Sequence, residues 1–239
     1  MCFHYSLTKE RTELEIQLGV TWDDDWQPVH YVNGFSFPQM PVITQQEPGK
    51  IKLFHWGLIP HWVKTKADAD KLRAQTLNAR AETLFEKPSF RSYITNSRCL
   101  VVTDGFFEWM DFQKKKYPHY IYMRSKTAFC FAGIYSSWTD KETGEHLDTF
   151  SIITTDANPM LARIHNSKQR MPVIIAPAQY KQWLKPGLPK EKIMSLLKPY
   201  PDTGMQNHTI SKRITSRTED PNVPEVLEPF IYPELALAE

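Results

Sequence analysis

The sequence predicts an α+β fold with a curved, mostly antiparallel, barrel-like core of strands and short helices around it. Short apolar runs bounded by turn residues dominate the chain, and helix-spaced segments fall between them without the strict alternation a doubly wound parallel sheet requires. The length of 239 residues, with 41% apolar and 23% charged residues, lies within the reach of one compact unit with one large core.

Taken in order, "PVIT" at 41–44 and "IKLFHWG" at 51–57 read as strands, because β-branched and aromatic residues cluster in short runs. "ARAETLFE" at 79–86 spaces its apolar residues as a helix does. Six further runs read as strands: "RCLVV" at 98–102, "FFEWM" at 106–110, "HYIYM" at 119–123, "AFCFAGIY" at 128–135, "TFSIITT" at 149–155 and "PVIIA" at 172–176. "PAQYKQWL" at 177–184 and "KEKIMSLL" at 190–197 close the pattern as short helices, with Pro177 suited to a first helical turn. No repeat or Gly/Ser linker divides the chain, so residues 1–220 are expected to form one domain. The segment 221–239, with four prolines from Pro221 to Pro233, is expected as an extended strap or tail.

No run approaches the ~20 apolar residues of a membrane span, and the N-terminus lacks a secretory pattern, so a soluble, cytoplasmic protein is expected. Cys2, Cys99 and Cys130 are odd in number and without paired ligand spacing; neither a disulfide framework nor a metal or other cofactor is expected. A net charge of +2 does not by itself announce a nucleic-acid binder. Basic residues nevertheless recur at Lys64, Lys66, Lys71, Arg73 and Arg80, at Lys168 and Arg170, and at Lys212, Arg213 and Arg217. On charge alone, a solvated surface accounts for them.

Four residues stand out chemically. Once Met1 is removed, Cys2 carries an α-amine and a thiol side by side. These titrate near ~7.7–8.0 and ~8.5, and the pair can capture an aldehyde as an imine that closes to a thiazolidine. A small packed cysteine is the plainer alternative. Asn78 in "TLNARAET" suits a helix N-cap, but Arg80 and Glu82 follow it, and an arginine fork is shaped to clamp phosphate. Glu108 in "DGFFEWM" either faces solvent on an alternating strand or sits in an apolar pocket, where burial raises its pKa and fits it to move protons. His165 in "ARIHNSKQRMPVII" is a candidate acid–base group, with structural use the alternative, and Arg170 follows five residues on. The aromatic segments "HWGLIPHW" at 55–62 and "PQMPVI" at 38–43 offer edges for stacking on unpaired bases, or simply fill the core.

Five ordered motifs connect these residues: Met1-Cys2, "WGLIP" at 56–60, "NARAET" at 78–83, "GFFEW" at 105–109 and "RMPVII" at 170–175. Together they resemble the SRAP family, the SOS response-associated peptidases. The resemblance implies a strand-rich fold with a basic groove that binds single-stranded DNA containing an abasic site. It implies that Cys2 forms a thiazolidine with the ring-opened sugar, that Asn78 orients it, that Glu108 moves protons and that His165 assists ring opening and reversal. Arg80 and Arg170 fall at phosphate-binding positions, and Trp62, Met40 and Pro41 at base-stacking ones. Peptidase-like self-processing that exposes Cys2 is also implied. The implied partner is abasic single-stranded DNA, with no membrane and no metal, and a monomer is expected.

The chain departs from the pattern in three places. Phe3 and His4 stand where members often carry Gly-Arg, so His4 replaces a phosphate-binding arginine or that contact is lost. His165 lies five positions before Arg170 rather than two, and His61-Trp62 replaces a tryptophan pair. Two other readings stay open at this point: a cysteine-dependent peptidase or amidohydrolase, and a non-covalent single-strand binder. Whether weak lyase cleavage accompanies imine formation is also open.

Overall fold

The computed structural model describes residues 2–216 and 218–237; Met1, on whose removal the reading of Cys2 depends, and Arg217 lie outside them. The strands run β1 (His4–Leu7), β2 (Thr21–Trp22), β3 (Val29–Asn33), β4 (Gln39–Thr44), β5 (Lys50–Trp56), β6 (Asn78–Arg80), β7 (Arg98–Thr103), β8 (Gly105–Phe112), β9 (Lys115–Met123), β10 (Phe129–Thr139), β11 (His146–Asp156), β12 (Arg170–Pro172), β13 (Ile174–Ile175) and β14 (Met205–Thr209). Short helices lie between them: α1 (Arg11–Leu18), α2 (Lys66–Arg73), α3 (Arg91–Asn96), α4 (Pro159–Ile164), α5 (Tyr180–Trp183) and α6 (Lys190–Leu196).

Strands β11, β10, β7, β4 and β5 pair antiparallel in that order, and β5 then pairs parallel with β11, closing a ring. Closure removes the exposed edges that would otherwise invite further strands. Two glycines permit it. Gly57, directly after β5, has φ +106° and donates its N–H to the Phe150 carbonyl at 2.9 Å, extending the closing pair. A Cβ on Gly133 would stand 2.8 Å from Cys99 Sγ, so the closeness of β10 to β7 requires a bare Cα there. The barrel interior holds Tyr5, Trp56, Phe131 and Phe150, with Trp56 stacked on Phe150 at 6.2 Å between ring centroids.

The second sheet, antiparallel throughout, runs β14-β9-β8-β1-β3. The N-terminal strand β1 lies between β8 and β3, which anchors the first residues of the chain at the centre of the molecule. The predicted α+β class and curved, mostly antiparallel, barrel-like core are what the structure has, and it adds closure of the barrel.

Three element expectations need correction. Segment 79–86 is not a helix: Asn78–Arg80 pairs with β11 through Ile152, Ile153 and Thr154, and Ala81–Thr83 forms a 3-10 turn. Sheet hydrogen bonds to β11 outweigh the helical spacing of the apolar residues. Segment 172–176 divides because the chain changes partners, from β11 at Pro172 to β10 at Ile174. Segment 177–184 likewise divides, into a 3-10 turn at Pro177–Gln179 and α5.

The Pro-rich C-terminal segment lies against β14. Phe230 donates its N–H to the Thr209 carbonyl, the Tyr232 hydroxyl donates to the Ile210 carbonyl, and Val226 is buried beside Ile210 and Phe107. Among the described residues, no helix is long and apolar enough to cross a membrane, and no cluster of His, Cys, Asp or Glu could hold a metal ion.

Candidate active site

Glu108 owes its place to strand alternation. Phe106 and Glu108 share one face of β8, and Phe106 packs in the same core cluster as Cys2, whereas Phe107 faces a separate cluster around Tyr120 and Ile210. The carboxyl group is thereby drawn into the interior, with only 3% of the residue exposed. Burial pushes its pKa up to about 8.

Cys2 lies just before β1 and is fully buried. Its thiol sits 3.6 Å from the His4 carbonyl, and burial, reinforced by the nearby Glu108 carboxylate, pushes its pKa well up. Asn78 opens β6, and its Nδ2 donates to the Cys2 carbonyl at 2.8 Å. It is therefore a strand residue holding the N-terminus rather than a helix cap, because β6 pairs with β11 and points Asn78 inward.

His165 terminates α4, a helix begun by Asn158, whose side chain accepts from the Leu161 N–H at 2.8 Å. The His165 Nδ1 donates to the Arg170 carbonyl at 2.9 Å and stands 3.7 Å from Glu108 Oε2. That donation makes Nε2 the basic nitrogen of the neutral ring. Burial lowers the imidazole pKa, so the ring is neutral at pH 7.

Glu108 and His165 open onto a cleft of about 610 Å³, bounded by Phe3 and His4 on one side and by Lys116, Lys168 and the exposed Arg80 on others. The residues inserted between His165 and Arg170 form part of its wall. Asn166 is pinned to the β8–β9 hairpin by reciprocal bonds, Asp111 N–H to Oδ1 at 3.1 Å and Nδ2 to the Asp111 carbonyl at 2.8 Å. Lys116 also lines the cleft; nothing in "QKKKY" sets it apart from its neighbours, and only the fold turns it towards the site. A larger apolar cleft of about 920 Å³ between α1 and α5 contains none of the candidate residues.

Other candidates are placed differently from expectation. Met40 is 1% exposed and Pro41 is buried, both within β4, so neither offers an edge to a base. Trp62 is 49% exposed and lines a separate depression of about 400 Å³ with Lys64 and Lys71. His4 lines the cleft, but its Nδ1 pairs with the Tyr31 hydroxyl at 2.8 Å and burial lowers its pKa to about 4. It thus cannot replace an arginine's charge. Arg170 is 9% exposed: it donates to Glu82 Oε1 at 2.6 Å and Oε2 at 3.0 Å, to Asp156 Oδ1 at 2.8 Å and to the Thr154 carbonyl at 2.9 Å. Carboxylates already occupy the fork that was expected to hold phosphate.

The fold has counterparts among known proteins. The family described as SOS response associated peptidase (SRAP) matches residues 1–217. The chain belongs to the SRAP family. It is 34% identical over 233 residues to the Bacillus subtilis abasic site processing protein YoqW, covering 95% of this chain and 99% of that one. The abasic site processing protein HMCES of Gallus gallus, another similar protein, is 31% identical over 196 residues, covering 73% of this chain and 56% of the relative. A crystal structure of a Bacteroides thetaiotaomicron protein superposes with a TM-score of 0.90 at 40% identity, covering 96% of this chain and all of that one. This SRAP chain thus matches the Bacillus subtilis protein over nearly its full length, and the Bacteroides thetaiotaomicron protein over nearly its full length and in fold.

Proposed function

We propose that this protein binds single-stranded DNA containing an abasic site and captures the lesion covalently through Cys2, shielding it from strand cleavage. The observation that carries the reading is the meeting of three segments: buried Cys2, held by Asn78 and close enough to Glu108 to feel its charge, the buried Glu108 carboxyl, and His165 at 3.7 Å from it, the last two opening onto one cleft. The names of the relatives, abasic site processing proteins, support the substrate.

Removal of Met1, by self-processing or by ordinary start-methionine cleavage, precedes the chemistry because the amine must be free. The α-amine of Cys2 adds to the C1′ aldehyde of the ring-opened sugar to give a carbinolamine. A carboxyl group with a pKa of about 8 is mostly protonated at pH 7, so Glu108 protonates the departing hydroxyl, and loss of water leaves the protonated imine (iminium). The Glu108 carboxylate so formed then takes the proton of the Cys2 thiol, whose raised pKa makes that base necessary. Sγ adds to the imine carbon and the thiazolidine closes, with one water released overall. His165, neutral and basic at Nε2, takes the sugar hydroxyl proton during ring opening and returns it to the ring oxygen. Arg80, Lys116 and Lys168 supply the positive charge for the strand, with Trp62 available for stacking outside the cleft. Loss of a C2′ proton from the imine would instead expel the 3′-phosphate by β-elimination, and hydrolysis of the remaining imine would then free the protein from the cleaved strand, the lyase side activity.

Denaturing electrophoresis after incubation with labelled abasic single strands tests the reading. A retained band is expected for wild type and lost in Cys2→Ala, and also lost when an alkoxyamine has first blocked the aldehyde. Equal retention by wild type and Cys2→Ala would remove the covalent role. A strand bound only before denaturation would leave a non-covalent binder, and hydrolysis of a peptide without any adduct would favour a peptidase.

A further inference from the structure

The Arg170 guanidinium joins three chain segments that carry the site. Its partners Glu82, Asp156 and Thr154 come from the turn after β6 and from the end of β11, and its own carbonyl accepts from His165 Nδ1 at 2.9 Å. Of these partners, Glu82 alone grips the fork through both oxygens, at 2.6 and 3.0 Å, the geometry that fixes a guanidinium in orientation as well as in position. The Glu82 carboxyl is partly desolvated, which pushes its pKa up, yet the Arg170 bond and charge outweigh this and leave it below the ordinary range. The pair is thus formed with Glu82 ionised throughout the neutral range.

We propose that Glu82 is a positioning residue for the capture reaction: by clamping Arg170 it fixes the 165–170 turn, and so holds His165 in its tautomer beside Glu108. This rests on the reading that the cleft captures an abasic aldehyde. It changes the part assigned to Arg170, from a phosphate contact to a strut whose backbone carbonyl orients the histidine. Asp156, held by one contact and 80% exposed at its side chain, contributes less than Glu82.

The two parts for Arg170 predict opposite consequences of Glu82→Gln. If Arg170 bound phosphate, loss of the competing carboxylate would tighten strand binding and leave the capture rate intact. As a strut, it loses its anchor: the saturating rate of adduct formation falls by about tenfold or more, because small misplacements of an acid–base group are costly. Affinity for an abasic analogue that has no aldehyde stays within about twofold.

A readout independent of capture is the titration of His165, followed by its imidazole C–H resonances. The charged groups around that ring are the N-terminal amine, Glu108 and Asp111 from β8, Lys116 from β9, and Arg170. Burial is the largest influence on the ring, so a loosened turn readmits water and moves its midpoint up towards the ordinary 6.5.

The experiment compares wild type, Glu82→Gln and Glu82→Asp in single-turnover capture, in binding of the aldehyde-free strand and in His165 titration. Expected are a slowed rate, unchanged affinity and a raised His165 midpoint in Glu82→Gln, with partial recovery in Glu82→Asp. Tighter strand binding with rate and midpoint unchanged would overturn the proposal and return Arg170 to phosphate binding; no change in any readout would overturn it as well. If wild type forms no adduct, the capture reading fails by itself. The His165 midpoint still decides whether Glu82 orients the ring.

Discussion

At the scale of single residues, the account depends on Glu108 being a buried acid. Glu108→Gln should slow adduct formation by ~10²-fold or more while leaving strand affinity intact, read by single-turnover kinetics beside equilibrium binding. The same burial makes a stability prediction. The folded pKa of about 8 exceeds the ordinary 4.5, so the folded state holds a proton that the unfolded chain gives up. The contribution is fully present below pH 4.5 and is lost as pH rises through 8. Glu108→Gln, which carries no titrating group, should therefore gain Tm relative to wild type between pH 5 and pH 8, by about 2–4 °C for each kcal/mol recovered. An unchanged difference across that range would show the carboxyl to be ordinary. Cys2, Asn78, Glu108 and His165 stood out in the sequence because each is a reactive or polar group beside a motif that ordinary core packing does not explain. What sequence could not show was whom Arg170 meets: Glu82 and Asp156 lie far from it in the chain and reach it only when β12 and β6 both pair with β11.

At the scale of elements, β11 is the organising strand. It closes the barrel with β5, receives β6 and so Asn78, and pairs with β12 and so positions Arg170. Its partner β10 depends on the bare Cα of Gly133, where an added methyl would stand 2.8 Å from Cys99 Sγ and 2.9 Å from Val101 Cγ2. Gly133→Ala should destabilise the fold by ~1–3 kcal/mol through overpacking, read as a lower urea midpoint with an unchanged slope. An unaltered midpoint would mean that β7 and β10 slide apart freely. The central strands were legible because their apolar runs are long and strongly β-branched or aromatic. The edges were not. Strands β1, β3 and β14 carry His, Asn and Gln beside their apolar residues, and α1 and α2 are mostly polar, so neither period stood out. Strand β6 was read as helix because three residues of parallel pairing leave almost no alternation to detect.

At the scale of the whole molecule, a net charge of only +2 means that strand binding depends on where the charge lies rather than on its sum. Lys116 and Lys168 face the cleft from separate elements. Replacing either by Ala should weaken binding of single strands without regard to sequence and reduce the logarithmic salt slope by about 0.7, the value for one phosphate contact on a single strand. A slope unchanged in both variants would place the strand outside the cleft. The closed barrel, the β1 strand between β8 and β3, and the cleft beside it together explain why the N-terminus can be the reactive end: it is held at the centre of the molecule rather than left at its periphery.

The measurement that tests this most directly is the intact mass of the protein before and after incubation with an abasic single-stranded oligonucleotide. The account predicts a chain lacking Met1, and then a species whose mass is that chain plus the oligonucleotide less one water, stable to denaturation and missing in Cys2→Ala. A chain that lacks Met1 yet forms no such species would contradict it.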